Sequence, residues 1–286
     1  MGTYVVTGSA SGMGYAAADR LRAAGHSVIG VDIKEADVVA DLSTAAGRHA
    51  AAEAVLTAGG GVLDGAVLAA GLGPVPGRER QIAQVNYFGV VDLLRAWRPA
   101  FARAGRAKVV VIASNSTTTT PAVPKRAVRA FLAGDGDKAV RSVRFHGRGA
   151  PPMIYAASKI AVSRWVRREA VGDDWAGAGI RLNALAPGAI LTPLLEEQLA
   201  DPRESKAVKA FPVPVGGFGD AGQLADWMMF MLSDAADFLC GSVIFVDGGS
   251  DAYFRADAWP AAVPARGVPR YLLRFLRHHR ATRRPR

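Results

Sequence analysis

The sequence predicts an α/β fold, one domain wound on both sides of a mostly parallel sheet. Three observations predict it. Short runs of Val, Ile, Leu and Ala alternate with stretches of helical periodicity along the chain, the pattern of repeated strand–helix–strand units. The apolar runs are nearly continuous, as strands buried on both faces are. The glycine and polar signals gather at the ends of those runs, at Gly8, Asp32, Gly71, Ser114 and Pro187-Gly188. Ligands bind there in such folds, beyond the carboxyl ends of the strands.

The elements follow in order. Residues 3–8 (TYVVTG) are a β-rich run closed by glycine, and a helical pattern covers 13–24. Residues 26–32 (HSVIGVD) read as the second strand and 36–42 (ADVVADL) as a candidate third. A helix is expected over 45–58, an apolar strand over 63–71, a helix over 79–97 and a strand over 107–114. Residues 153–171 read as a helix, 180–188 as a strand ending in Pro-Gly, 220–233 as a helix and 242–249 as the last strand.

With 286 residues and 50% hydrophobic content the chain can bury a full core. No Pro/Gly/Ser-rich linker divides it. The single cysteine, Cys240, excludes an internal disulfide and suits a reducing, cytoplasmic setting. The opening MGTYVVTGSASG carries neither the basic nor the apolar region of a signal peptide, and Val6 stands where myristoylation wants Ser or Thr. No apolar run reaches membrane-spanning length. The net charge of +10 is uneven: Arg266 to Arg286 holds eight arginines and no acid, leaving 27 basic against 25 acidic residues before it.

TGSASGMG (7–14) joins the first strand to the first helix. Glycines let the backbone turn tightly and approach a pyrophosphate, and the helix start offers free N–H groups to it. Asp32 closes the second strand, where a carboxylate accepts from a ribose 2′-OH and repels a 2′-phosphate. This favours NAD over NADP, with Lys34 nearby as the counter-signal. Asp41 either serves the adenine end or is simply an acid in the N-terminal turn of the next helix. Tyr155 and Lys159 lie four apart in a helical stretch and so share a face.

In order along the chain stand TGSASGMG, Asp32, LAAG (68–71), Asn86 in VNYFG, Ser114, YAASK (155–159), RLNALAPG with AILTP, and VDGG (246–249). This series resembles the short-chain dehydrogenase/reductase family over most of the chain. YAASK, GIRLNALAPGAILTPLL, ADPRES and VDGGSDA resemble more closely its bacterial 3α-hydroxysteroid dehydrogenase/carbonyl reductase branch. Two departures stand out. Leu68 and Ala69 replace polar residues frequent in the family, and forty residues separate Ser114 from Tyr155 where a short loop is usual.

The resemblance implies a Rossmann-type domain with a seven-stranded sheet, and hydride transfer between NAD(H) and a secondary alcohol or ketone. Tyr155 is then the acid/base. A free phenol titrates near ~10, and the Lys159 cation one turn on, with the oxidised nicotinamide, favours its phenolate. Ser114 orients the substrate oxygen, with Ser116 as competitor, and Asn86 resembles the family's water-holding Asn. The alternative for Asn86 is a helix-interior residue bonded to nearby backbone. Cofactor contacts are expected from Gly8, Ser9, Ala10, Ser11, Gly12 and Met13 of the turn, and from Asp32, Asp41 and Leu42. Gly71, Tyr155, Lys159, Ile190 and Thr192 complete the set, Thr192 holding the carboxamide, while Asn183 is structural.

Residues 1–257 are expected to form the dehydrogenase domain, followed by a basic tail, 258–286. The insert 115–154 carries seven basic and two acidic residues and reads as two short amphipathic helices split by GDGD. It either shapes the substrate mouth or a subunit contact, or is simply solvated. Residues 193–219 correspond to the family's substrate lid, with Leu194, Leu195, Leu199 and Phe211 as an apolar lining. That suits a lipophilic secondary alcohol or ketone, a hydroxysteroid among them. A carrier-bound 3-oxoacyl reductase and a non-catalytic NAD sensor are the alternatives. Asp32 weighs against the first, which usually draws on NADPH, and the Tyr155–Lys159 pair against the second. The basic tail could touch an anionic lipid surface, nucleic acid or an acidic partner; a solubilising tail is the stronger reading, and no nucleic-acid partner is expected. Adjacent His278 and His279 would not face one metal from a helix, so no metal is expected. A dimer or tetramer is usual in the family.

Overall fold

The structure, a computed structural model, describes residues 1–258 and 263–274. The chain begins with β1 (Thr3–Thr7), α1 (Gly12–Ala23), β2 (Ser27–Asp32), β3 (Val38–Val39), α2 (Ala45–Ala58) and β4 (Gly65–Leu68). α3 (Glu79–Ala83), a π-helical turn over Gln84–Phe88 and α4 (Gly89–Ala104) lead to β5 (Lys108–Ile112). The insert supplies α5 (Ser116–Thr119), α6 (Lys125–Leu132), α7 (Gly136–Arg141) and a 3-10 stretch, Arg144–Gly149. Then come α8 (Ala150–Glu169), β6 (Arg181–Pro187), β7 (Ile190–Leu191), α9 (Pro193–Ala200) and α10 (Pro202–Ala210). β8 (Gly219–Asp220), α11 (Ala221–Leu232), β9 (Val243–Val246) and α12 (Ser250–Arg255) complete the order.

Seven strands form one parallel sheet in the order β3-β2-β1-β4-β5-β6-β9, and β7 and β8 pair separately. Successive strand residues point to opposite faces, and both faces are covered. Val5 belongs to the core on one side and Val6 to the core on the other, each fully buried. This is why the strand sequences are apolar without alternation. α1 and α11 cover one face through Leu21, Leu224 and Met228, while α2, α4, α6 and α8 cover the other around Trp97, Phe101 and Phe131. The strand order reverses between β1 and β4. A crevice opens there at the carboxyl ends of the strands, the usual ligand position in such sheets.

Several elements depart from the sequence expectation. The third strand shrinks to Val38–Val39, since at the sheet edge it pairs only with β2. The helix expected over 79–97 runs on to Ala104, through Pro99, and is interrupted by the π turn. It ends at Gly105, whose φ of 75° suits a left-handed cap. α8 begins three residues early, with Pro151 and Pro152 in its first turn, where their missing N–H groups leave no intrahelical bond unmade. The insert is packed, not simply solvated. α6 buries Val128 and Phe131, and the Phe131 ring lies 5.1 Å from that of Tyr87.

The chain divides into two compact units, Met1–Tyr253 and Phe254–Arg286, four residues before the boundary read from sequence. No described helix is long and apolar enough to cross a membrane. His278 and His279 lie outside the described residues, and no group of three or more possible metal ligands forms among those described.

Candidate active site

The glycine-rich turn opens the first of two adjoining clefts. Gly8 (φ 72°) and Gly12 (φ 55°) adopt the left-handed backbone the turn requires. Gly14 is needed for space: a Cβ there would lie 2.1 Å from the Gly8 carbonyl oxygen. Ser11 at the start of α1 makes no side-chain capping bond, so the helix's first N–H groups face a cleft of about 250 Å³. Gly14→Ala should force the turn open. We expect dinucleotide affinity to fall roughly tenfold or more, together with a lower melting temperature; a fluorescence titration and a thermal melt that both match the parent would refute a rigid turn.

Gly8, Ser11, Gly12, Met13, Asp32, Asp41, Leu42, Gly71 and Thr192 line this cleft. Asp32 Oδ2 accepts from the Ala10 N–H at 3.0 Å and Oδ1 from the Ile33 N–H at 2.7 Å, so the carboxylate ties the turn to the end of β2. Asp41 Oδ1 accepts from the Ser43 N–H at 2.8 Å and thereby shapes its own turn. Thr192 sits across from Gly12, its Cγ2 3.3 Å from where a Cβ would stand. Two expected contacts differ. Ser9 turns its hydroxyl toward Gly30, and exposed Ala10 offers its N–H to Asp32; neither lines the cleft.

The second cleft, about 510 Å³, holds Ser114, Tyr155, Lys159 and Ile190. Ser114 stands two residues beyond β5, and its hydroxyl lines the same cleft as Tyr155. Its Oγ also accepts from the Ser116 N–H at 3.1 Å. The Ser116 hydroxyl is buried without a partner among the described residues, so Ser114, not Ser116, faces Tyr155. Lys159 is 4% exposed. Its ammonium donates to the Ile112 carbonyl at 2.8 Å and lies 6.0 Å from the Tyr155 ring centroid. Burial pushes the Tyr155 phenol above its ordinary 10.0, and the Ser114 hydrogen bond draws it partly back. Burial pushes the Lys159 ammonium down to about 8.

Fully buried Asn86 occupies the π turn, a feature frequent at functional sites. Its amide is occupied: Nδ2 donates to the Leu72 carbonyl at 2.9 Å and Oδ1 accepts from the Leu72 N–H at 2.8 Å. The side chain therefore clamps the loop after β4 beside Gly71. A Cβ on Gly71 would stand 3.4 Å from Asn86 Oδ1 and 3.7 Å from Lys159 Nζ, which places all three at one spot. Asn183 holds the backbone of Leu239 and Ser242.

Sequence reasoning missed Ile33, Ala40, Ala70, Leu72, Val85 and Pro193, which also line the first cleft. Ile33, next to Asp32 and 61% exposed, carried the one usable signal, an apolar residue in a polar turn. The insert contributes Thr119, Thr120 and Pro152 to the second cleft, and the lid contributes Leu195, Val208 and Phe211. Leu199 is not among its lining residues, and the side chain of Leu194 lies outside the described residues. The polar groups fit a dinucleotide. Backbone N–H groups stand at a helix start, the Asp32 carboxylate lines the first cleft at the end of β2, and the buried Lys159 ammonium, bonded to the Ile112 carbonyl, lines the second.

The comparisons with known proteins agree with this geometry. A family model described as Enoyl-(Acyl carrier protein) reductase matches residues 137–251. The chain is 39% identical over 255 residues to a 3-alpha-hydroxysteroid dehydrogenase/carbonyl reductase of Comamonas testosteroni, covering 89% of this chain and 98% of that one. It is 32% identical to a cis-4-hydroxycyclohexanecarboxylate dehydrogenase of Sinomonas cyclohexanicum, covering 87% of this chain and 96% of the relative. The crystal structure of a 3-alpha-hydroxysteroid dehydrogenase from Pseudomonas sp. B-0831 in complex with NADH superposes with a TM-score of 0.84 at 43% identity, over 90% of this chain and all of that one. The chain belongs to the short-chain dehydrogenase/reductase family. It is an oxidoreductase acting on CH–OH groups with a nicotinamide dinucleotide.

Proposed function

We propose that the protein interconverts a lipophilic secondary alcohol and its ketone with NAD(H), Tyr155 moving the proton. The observation that carries this reading is that Tyr155, Ser114 and the buried Lys159 share one cleft, largely apolar, that adjoins the dinucleotide cleft. The bound nicotinamide supplies the hydride acceptor or donor. Tyr155 takes the alcohol proton in oxidation and returns it in reduction. Ser114 holds the same substrate oxygen against Tyr155. The Lys159 ammonium steadies the phenolate through the charge it carries one turn away. Asn86 acts as a positioning residue, fixing Leu72 and the loop beside Gly71.

Pro74, Pro152, Leu195, Val208 and Phe211 make the second cleft's walls apolar, which supports a hydrophobic substrate. The hydroxysteroid names of two relatives support including that class. The test follows the near-ultraviolet absorbance of the reduced nicotinamide across hydroxysteroids and simpler secondary alcohols, with NAD and with NADP. Turnover with NAD establishes the reading. A wide panel, run in both directions, that never turns over while NAD binds would point to a sensor.

Asp32 supports NAD over NADP, because a carboxylate closing the second strand of such a unit repels a 2′-phosphate. Asp32→Asn keeps an acceptor for the Ala10 N–H and deletes the charge. The ratio of kcat/KM for NAD to that for NADP should fall about tenfold, as expected for removing one near-surface charge repulsion. An unchanged ratio would remove Asp32 from cofactor selection.

A further inference from the structure

We propose that the C-terminal unit docks the enzyme on an anionic membrane surface through a basic amphipathic helix. The Comamonas and Pseudomonas relatives are covered over 98% and 100% of their lengths, yet about a tenth of this chain has no counterpart in them, and Phe254–Arg286 is a compact unit of that size.

Apart from Asp257 its charge is of one sign. After Asp257 no acidic residue follows, and eight arginines stand between Arg266 and Arg286. Residues 268–274 are helical. Val268, Tyr271, Leu272 and Leu273 are 42%, 55%, 53% and 48% exposed, so this helix holds its apolar residues out in water. On helical spacing Val268, Tyr271 and Leu272 lie on one side, and Arg270 and Arg274, four apart, on the other.

Two polyanions could meet the arginines, and the apolar residues choose between them. Nucleic acid would pair the arginines and leave the Leu and Tyr side chains in water. A lipid surface of negative charge takes both, the arginines at the headgroups and the apolar side at the acyl boundary. The exposed Leu272 and Leu273 thus favour lipid over the plain solubilising tail that charge alone suggests.

The test is co-sedimentation of the full-length protein with phosphatidylcholine vesicles, plain or containing roughly a third phosphatidylglycerol. We expect binding to the anionic vesicles only, weakened severalfold or more at about 0.5 M salt. Leu272→Ser/Leu273→Ser, which leaves the charge intact, should weaken binding roughly tenfold or more. Turnover of a water-soluble secondary alcohol, the control for folding, should be unaltered. The proposal fails if anionic vesicles do not carry the protein down, or if the double Ser variant binds them as well as the parent. It also fails if a DNA duplex binds parent and variant equally and tighter than the vesicles do.

Discussion

Tyr155→Phe should lower turnover by about three orders of magnitude, within the range that a positioned acid/base contributes, while dinucleotide binding stays within about twofold of the parent. The substitution deletes one oxygen. The ring keeps its place on α8, and the Lys159 ammonium keeps its 6.0 Å approach to the ring centroid. The glycine-rich turn, Asp32 and Thr192 line the first cleft, which Tyr155 does not line. Stability should change little, because the substitution removes at most one neutral hydrogen bond, worth about 1 kcal/mol. Single-turnover kinetics separates the effects: the chemical step slows and the binding phase does not. A variant that kept a tenth of the parent rate would move the proton to another group, and Ser114 would be the one to test next.

What the sequence revealed and what it hid divide along a physical line. The strands were readable because β1, β4 and β5 are buried on both faces, so that Val5 and Val6 must both be apolar although they point opposite ways. The Tyr155–Lys159 pair was readable because helical spacing puts the two on one face and the family resemblance gives that pair its role. Ser114 followed from its place at the end of a strand together with the family pattern, which set it above Ser116. The π turn at Asn86 was not readable: an inserted residue in a helix leaves no Gly or Pro mark, and the apolar pattern of 79–104 runs straight through it. Its consequence, the amide clamped on Leu72, depends on a loop fourteen residues away in the chain. The walls made by Val85, Ile33 and Pro193 come from three separate segments that only the closed fold brings together. The insert was half readable. The amphipathic spacing of α6 and the GDGD break marked α6 and α7 but not the short α5, whereas the docking of Phe131 on Tyr87 and Phe88 is a property of packing.

Lys159→Met should abolish turnover and, at pH 7, raise the stability of the free enzyme. Lys159 is 4% exposed, and burial holds its ammonium at about 8, below the 10.5 of a free lysine. A lowered value in the folded state means that the unfolded chain holds the proton more tightly. Below pH 8 both states are protonated, and the folded state bears the full cost of a buried charge. The gap between about 8 and 10.5 corresponds to about 3 kcal/mol. Between those values the folded protein has released a proton the unfolded chain retains, so the stability of the parent rises with pH across that window. Methionine fills similar space without charge and loses only the hydrogen bond to the Ile112 carbonyl, about 1 kcal/mol. The variant should therefore melt several degrees above the parent at pH 7, and the difference should shrink as pH rises from 8 toward 10. Paired melts at pH 7 and about 9.5 check it. A variant that melts lower at pH 7, or a difference that does not depend on pH, would show that the ammonium is better solvated or better paired than one carbonyl explains. If the variant is both more stable and inactive, the charge at this position is kept for the Tyr155 proton at the expense of the fold.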